Sequence, residues 1–201
     1  MRKVRCSYPL ILAIALAVLF DSGGDLILLA AAAAVHELGH LLCMFLLGAE
    51  VRSLRLSVGG MVIDYNGSRL SYLGDAAVAL AGPAFSLLTA LVLSRLGRIV
   101  PSDGLFYFIG LNLLLGLFNL VPLLPLDGGR ILLCLLCQAR GPGDAERICG
   151  GVSRFFAGLL LFAGVWLLVV QDNPSLLLIS LTLLLGTGDK NTLQGTAFGV
   201  L

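Results

Sequence analysis

His36-Glu37-Leu38-Gly39-His40 lies inside an apolar run, about residues 26–48, that is long enough to cross a membrane. On a helix the two imidazoles share one face roughly 6 Å apart, within reach of a single zinc ion. The Glu37 carboxylate lies beside them, where it can act as general base on a water held by the metal. Two hydrogen-bonded core histidines are the weaker interpretation, because ionisable groups at membrane depth are costly. The motif predicts a metal site.

The composition indicates a membrane protein. Of the 201 residues, 58% are hydrophobic and 12% are charged, against about 25% charged in soluble domains. The net charge of +1 gives no basic field, so no nucleic-acid partner is expected. The five cysteines form no secreted disulfide framework. Cys134-Leu-Leu-Cys137 has a spacing typical of metal or redox sites, but its apolar helical context favours a core or lipid-facing role.

Hydropathy predicts an all-α polytopic membrane protein, a single domain over residues 1–201 with about six transmembrane helices. The first twenty residues resemble a signal peptide, but a retained first helix is favoured because the cleavage site is only fair. A further apolar helix near residues 128–138 is expected at the interface or against the bundle. The six predicted spans are 8–20, 26–48, 72–95, 104–124, 155–171 and 175–187.

The distribution of Lys and Arg predicts the orientation. With the N-terminus in the cytoplasm, the inner segments hold all but two of the 13 basic residues, and only Arg95 and Arg98 fall outside. The positive-inside bias therefore favours an integral protein of a bacterial cell membrane with both termini cytoplasmic.

Between the second and third spans the periodicity changes. Residues 53–58 alternate polar and apolar, Gly59-Gly60 follows, and residues 61–63 are β-prone, so a small β-hairpin is predicted. Its edge is able to pair with an unfolded substrate segment, although a simple connecting hairpin fits equally well. In the third span, Ala81-Gly82-Pro83 predicts a kink or close helix packing.

Two histidines need at least one more protein ligand. Asp127 is favoured because it follows Pro122 and Pro125, which interrupt a helix near membrane depth, and precedes Gly128-Gly129, which permits a sharp turn. An aspartate that caps the next helix is the alternative role, and Cys43 is the alternative ligand. Asn119 either hydrogen-bonds a neighbouring helix or donates to a developing oxyanion, and its spacing does not decide between the two.

The H-E-L-G-H motif at residues 36–40, followed by N-x-x-P-x-x-x-x-D-G-G at residues 119–129, resembles the site-2 protease family of intramembrane zinc metalloproteases, peptidase family M50. The resemblance covers about residues 26–130. It implies zinc ligation by His36, His40 and Asp127, with Glu37 as catalytic base, and favours Asn119 near the reaction centre.

Within that family the chain looks most like the bacterial stage IV sporulation protease, which releases a sigma factor from a membrane-bound precursor. The resemblance therefore implies a membrane-bound protein substrate, contact with the lipid bilayer and regulation by inhibitory membrane partners. No PDZ insertion is evident, and no CBS domain is expected before the chain ends at Leu201.

Two other classes of function remain open. A metal transporter would use the histidines as a transit site, but it would need polar groups along successive helices. A catalytically inactive membrane scaffold would use the metal only for stability and would have no requirement for Glu37.

Overall fold

The computed structural model describes residues 3–6, 25–49, 51–57, 60–65 and 70–187. Within these ranges the protein is mostly helical. The strands are β1 (Lys3–Cys6), β2 (Val51–Ser57) and β3 (Gly60–Tyr65). The helices are α1 (Asp25–Leu46), α2 (Tyr72–Leu96), α3 (Asp103–Asn119), α4 (Asp127–Arg140), α5 (Pro142–Gln171) and α6 (Ser175–Thr187). The predicted span 8–20 lies outside the described residues.

Three of the described helices, α1, α2 and α5, are long and apolar enough to cross a membrane. Helix α3 is apolar but has only 17 residues, and α6 has 13. The prediction of six spans is therefore not supported in the described ranges. The fourth predicted span stops at Asn119, shortly before the two prolines, each of which lacks a backbone N–H and disfavours a helix interior. The fifth is the second half of the longer α5.

The strands form one sheet in the order β1-β2-β3. Strands β2 and β3 are antiparallel, with Leu54 opposite Ile63, in the region for which the sequence predicts a hairpin. The residues that join them, 58–59, lie outside the described ranges. Strand β1 pairs parallel with β2 and was missed, because its charged residues were interpreted as the flank of a membrane span.

The described chain forms two compact units, of which the first comprises Met1–Leu70 and Leu80–Asn119. Here glycines allow helices to approach closely. A Cβ on Gly39 of α1 would lie 2.5 Å from the Ala81 oxygen of α2. A Cβ on Gly116 of α3 would lie 3.1 Å from the Pro83 oxygen. Small residues let helix backbones approach in this way in membranes. The close packing predicted around Gly82-Pro83 is therefore present, and α2 continues through Pro83.

The second unit comprises Ser71–Ala79 and Leu120–Leu201. Its buried core joins α4 and α5 and consists of Leu124, Leu133, Cys137, Ala145 and Cys149. Burial raises the pKa of the Cys134 thiol to about 11, and burial also raises the pKa of Cys137. Both thiols are buried, at 3% and 6% exposure. This agrees with the core role favoured for Cys134-Leu-Leu-Cys137.

Candidate metal centre

Helix α1 turns its histidines inward and several of its leucines outward. His36 and His40 are 5% and 8% exposed, whereas Leu38 between them is 53% exposed. Their rings meet edge to face with centroids 5.0 Å apart, and the two Nε2 atoms are 3.3 Å apart. The i, i+4 spacing thus produces a buried pair of convergent ring nitrogens.

This separation fits a zinc site. Two nitrogens bound to a tetrahedral zinc at 2.0–2.1 Å lie about 3.3–3.4 Å from each other. The Nε2 atoms of His36 and His40 lie at 3.3 Å, a distance that fits a shared zinc ion and also a hydrogen bond between the two rings.

Ser86 of α2 orients the first histidine. Its Oγ lies 3.1 Å from His36 Nδ1, and the serine is fully buried. In the tautomer that carries the proton on Nδ1, His36 donates to Ser86 and leaves the Nε2 lone pair for a metal. Metal-binding histidines are usually fixed by such a bond from the second nitrogen.

Gly82 of α2 makes room for the second histidine. A Cβ at this position would contact His40 Nε2 and would lie 2.5 Å from Cε1 and 2.8 Å from Cδ2. No side chain larger than hydrogen fits there without moving the imidazole. The absent side chain thus leaves space for the His40 ring and its Nε2.

Asp127 is the first residue of α4 and is half-buried. Leu126 occupies the N-cap position, and Asp127 follows it as the first helical residue. His36, His40 and Asp127 form a group that could hold a metal ion, with one ligand atom of each within 4.8 Å of the others. In the part of the chain that the structure describes, Cys43 belongs to no such group.

Gly128 and Gly129 do not form the sharp turn that the sequence suggested, because both are helical residues of α4. Instead they let α4 start against the preceding backbone. A Cβ on Gly128 would lie 2.5 Å from the Val121 oxygen, and one on Gly129 would lie 2.5 Å from the Leu124 nitrogen.

The two predicted catalytic residues, Glu37 and Asn119, lie on α1 and α3. Glu37 is half-buried on α1, between the histidines. Asn119 is the last residue of α3, and its Nδ2 donates to the Leu115 oxygen of the same helix at 3.0 Å. A carboxamide has two N–H donors, so this bond leaves Asn119 a second one.

Sequence analysis missed Ser86 and the role of Gly82 beside His40. Ser86 lies 50 residues from His36, and an isolated serine in an apolar helix carries no signal of its own. Gly82 was noticed only as a packing residue, because its neighbour on the facing helix cannot be known from local sequence.

Comparison with known proteins gives consistent matches. The sequence profile described as peptidase family M50 matches residues 98–163. A putative zinc metalloprotease of Synechocystis is 39% identical over 120 residues, which are 57% of this chain and 32% of that protein. A zinc metalloprotease of Methanocaldococcus jannaschii is 31% identical in an alignment of 171 residues that covers 82% of this chain and 48% of that protein. The chain therefore spans less than half the length of either relative.

A solved structure, the site-2 protease from Methanocaldococcus jannaschii, aligns with a TM-score of 0.67 and 28% sequence identity. The alignment covers 89% of this chain and 83% of that one. Together with the profile and the curated metalloproteases, it shows that this chain is similar in sequence and in fold to zinc metalloproteases of the peptidase M50, or site-2 protease, family. These relatives are named as zinc enzymes, and His36, His40 and Asp127 are residue types that bind zinc.

Replacing Gly82 with alanine should weaken zinc binding by about 10–100-fold, the usual effect of disturbing the support of a metal ligand, because the new methyl group would displace the His40 ring. Gly110→Ala is the matched control, since a Cβ at Gly110 meets nothing within 4 Å. Competition with a chromogenic chelator on the purified protein measures the affinity. Equal affinity of the two variants would contradict the role given to Gly82.

Proposed function

We propose that this chain is an intramembrane zinc metalloprotease of the site-2 protease family, with His36, His40 and Asp127 as the zinc ligands. The observation that carries the proposal is the buried pair of Nε2 atoms 3.3 Å apart. The presence of Glu37 between the two histidines, and of Asp127 in the same His-His-Asp group, supports it. Three protein ligands leave a fourth position for water, as catalytic zinc sites require.

Bound zinc would supply a water of lowered pKa and a Lewis acid for the substrate carbonyl. Glu37 is the general base. Its carboxylate accepts the proton of the attacking water and later returns that proton to the departing amine nitrogen. The half-buried position of Glu37 on α1 suits a group that must reach both the water and the scissile bond.

Asn119 is the proposed electrophilic partner. Its Nδ2 is tied to the Leu115 oxygen, which holds the amide in place at the C-terminal end of α3. The second N–H of that amide is the group that would donate to the oxygen on which negative charge develops.

The substrate is proposed to be a membrane-associated or transmembrane protein from which cleavage releases a soluble regulator. A transmembrane helix hides its peptide bonds in its own hydrogen bonds, so the substrate must unwind locally before it can react. The resemblance to the stage IV sporulation protease extends the proposal to a membrane-bound sigma-factor precursor as substrate, with inhibitory membrane partners as regulators.

Cleavage is proposed to occur towards the cytoplasmic side. The basic residues orient α1 from outside to inside, and α3 runs in the same direction. His40 and Asp127, in the later part of α1 and just after α3, would then both lie in the inner half of the bilayer. Water would enter from the cytoplasm, and the soluble product would leave there.

Glu37→Gln should reduce proteolysis by roughly 10²–10⁴-fold, the usual value of a general base, while zinc content stays at the wild-type level. The test co-expresses a tagged, membrane-anchored candidate precursor with each variant and detects the shortened product. Glu146→Gln, at another half-buried glutamate, should retain activity. An active Glu37→Gln protein would contradict the mechanism. Loss of zinc from that variant would instead make Glu37 a ligand.

Asp127→Ala should lower both zinc occupancy and proteolysis, because two histidines alone hold the metal weakly. Cys43→Ala should leave both unchanged. Metal analysis of the two purified variants beside wild type decides between the candidate ligands. If Asp127→Ala keeps its zinc and Cys43→Ala loses it, Cys43 is the third ligand and the assignment to Asp127 is wrong.

The orientation predicts opposite labelling of two exposed positions. Cysteine introduced at Ala139, near the end of α4, should react with a membrane-impermeant maleimide supplied from the cytoplasmic side. Cysteine at Ser102, between α2 and α3, should react only from the opposite side. Wild-type protein provides the background. The reversed pattern would move the product to the other compartment.

A further inference from the structure

The segment between α3 and α4, residues 120–126, is irregular and carries buried backbone. Leu123 and Leu124 are 0% and 2% exposed. Within the segment, Leu123 N–H donates to the Val121 oxygen and Leu126 N–H donates to the Leu123 oxygen, both at 2.7 Å. Buried backbone donors require partners, because leaving one unsatisfied is costly.

The partner of Leu124 comes from α5. Leu124 N–H donates to Ser153 Oγ at 3.1 Å, and Ser153 is itself only 1% exposed. A side chain 29 residues away in the sequence thus holds a backbone amide that lies three residues before Asp127.

A second side chain of α5 holds the other side of Asp127. Cys149, fully buried one helical turn before Ser153, donates from Sγ to the Gly129 oxygen at 3.5 Å. Gly129 lies two residues after Asp127. The two side chains of α5 therefore contact the backbone on both sides of the aspartate.

These contacts limit where α4, and with it the backbone of Asp127, can lie. Because Gly128 and Gly129 lie directly against the backbone of residues 120–124, α4 cannot start elsewhere unless that segment also moves. Asp127 lies between the segment and the glycines. A shift at Leu124 therefore becomes a shift of the Asp127 carboxylate.

We propose that Ser153 is a positioning residue for the third zinc ligand, which it orients through the Leu124 amide, with Cys149 as a second support. This inference rests on the proposed function, since it requires Asp127 to bind the metal. Ser153 itself lies on α5 and acts through backbone, without touching the reacting atoms.

Ser153→Ala removes the acceptor and leaves the buried Leu124 N–H without a partner. The segment must then shift or admit water, and zinc affinity should fall by about 10–100-fold, as for other residues that orient metal ligands. Ser153→Thr keeps the hydroxyl and should restore most of that affinity. Hydrogen exchange in residues 120–126 should become faster in the alanine variant.

The matched control is Ser180→Ala. Ser180 is fully buried in the same unit, but its Oγ donates to the Leu177 oxygen of its own helix, α6. The chemical change and the burial are therefore alike, whereas the hydroxyl of Ser180 bonds within its own helix and that of Ser153 bonds to the 120–126 segment. Ser180→Ala should bind zinc as wild type does.

A double-mutant cycle separates positioning from general destabilisation. Zinc affinity is measured by chelator competition for wild type, Ser153→Ala, Asp127→Ala and the double variant. If Ser153 acts through Asp127, its replacement should add no further loss in the Asp127→Ala background.

Four outcomes would overturn the inference. Equal zinc affinities of Ser153→Ala and Ser180→Ala would show that the Ser153 hydroxyl has no special effect on zinc binding. An equal loss of affinity from Ser153→Ala in the wild-type and Asp127→Ala backgrounds would show that Ser153 does not act through Asp127. Either result leaves the proposed function intact, because wild type still binds zinc and Asp127→Ala still loses it. Failure of wild type to bind zinc, or full affinity in Asp127→Ala, would overturn the proposed function as well.

Discussion

The close approach of α1 to α2 is the constraint on which the histidine pair depends. Gly39 on one helix and Gly82 on the other lack the side chains that would separate them. That approach brings Ser86 Oγ within 3.1 Å of His36, and the missing side chain at Gly82 leaves space for the His40 ring. In a lipid environment a buried polar group without a partner is costly. The close approach of the two backbones, more than any single side chain, therefore lowers the cost of burying two imidazoles within the membrane.

Local sequence predicted those parts of the site that are local in space. The four-residue spacing of His36 and His40 fixes their common helical face, and the prolines after Asn119 fix the end of α3. By contrast, Ser86 and Ser153 act over separations of 50 and 29 residues. Nothing in their own surroundings distinguishes them from serines that bond only to their own helix, such as Ser180.

Two errors in the sequence analysis have physical causes. Helix α5 begins at Pro142, well before the predicted span. The predicted start is late because Asp144, Glu146 and Arg147 lower the hydropathy, although they do not interrupt the helix. The glycines after Asp127 were interpreted as a turn, since glycine is the usual residue where φ is positive. Here both are helical, and what matters is the absence of a side chain facing the backbone of residues 120–124.

The 17 residues of α3 have a consequence for the surrounding lipid. At 1.5 Å per residue the helix is about 25 Å long, shorter than the roughly 30 Å hydrocarbon core of a typical bilayer. The backbone that follows it is irregular, so it cannot extend the span into lipid. Where α3 crosses the membrane, the bilayer beside it would have to thin to match, at a modest cost for each ångström of mismatch. Lipids with shorter acyl chains would then be the better solvent for this side of the protein, and interfacial water would lie closer to the end of α3.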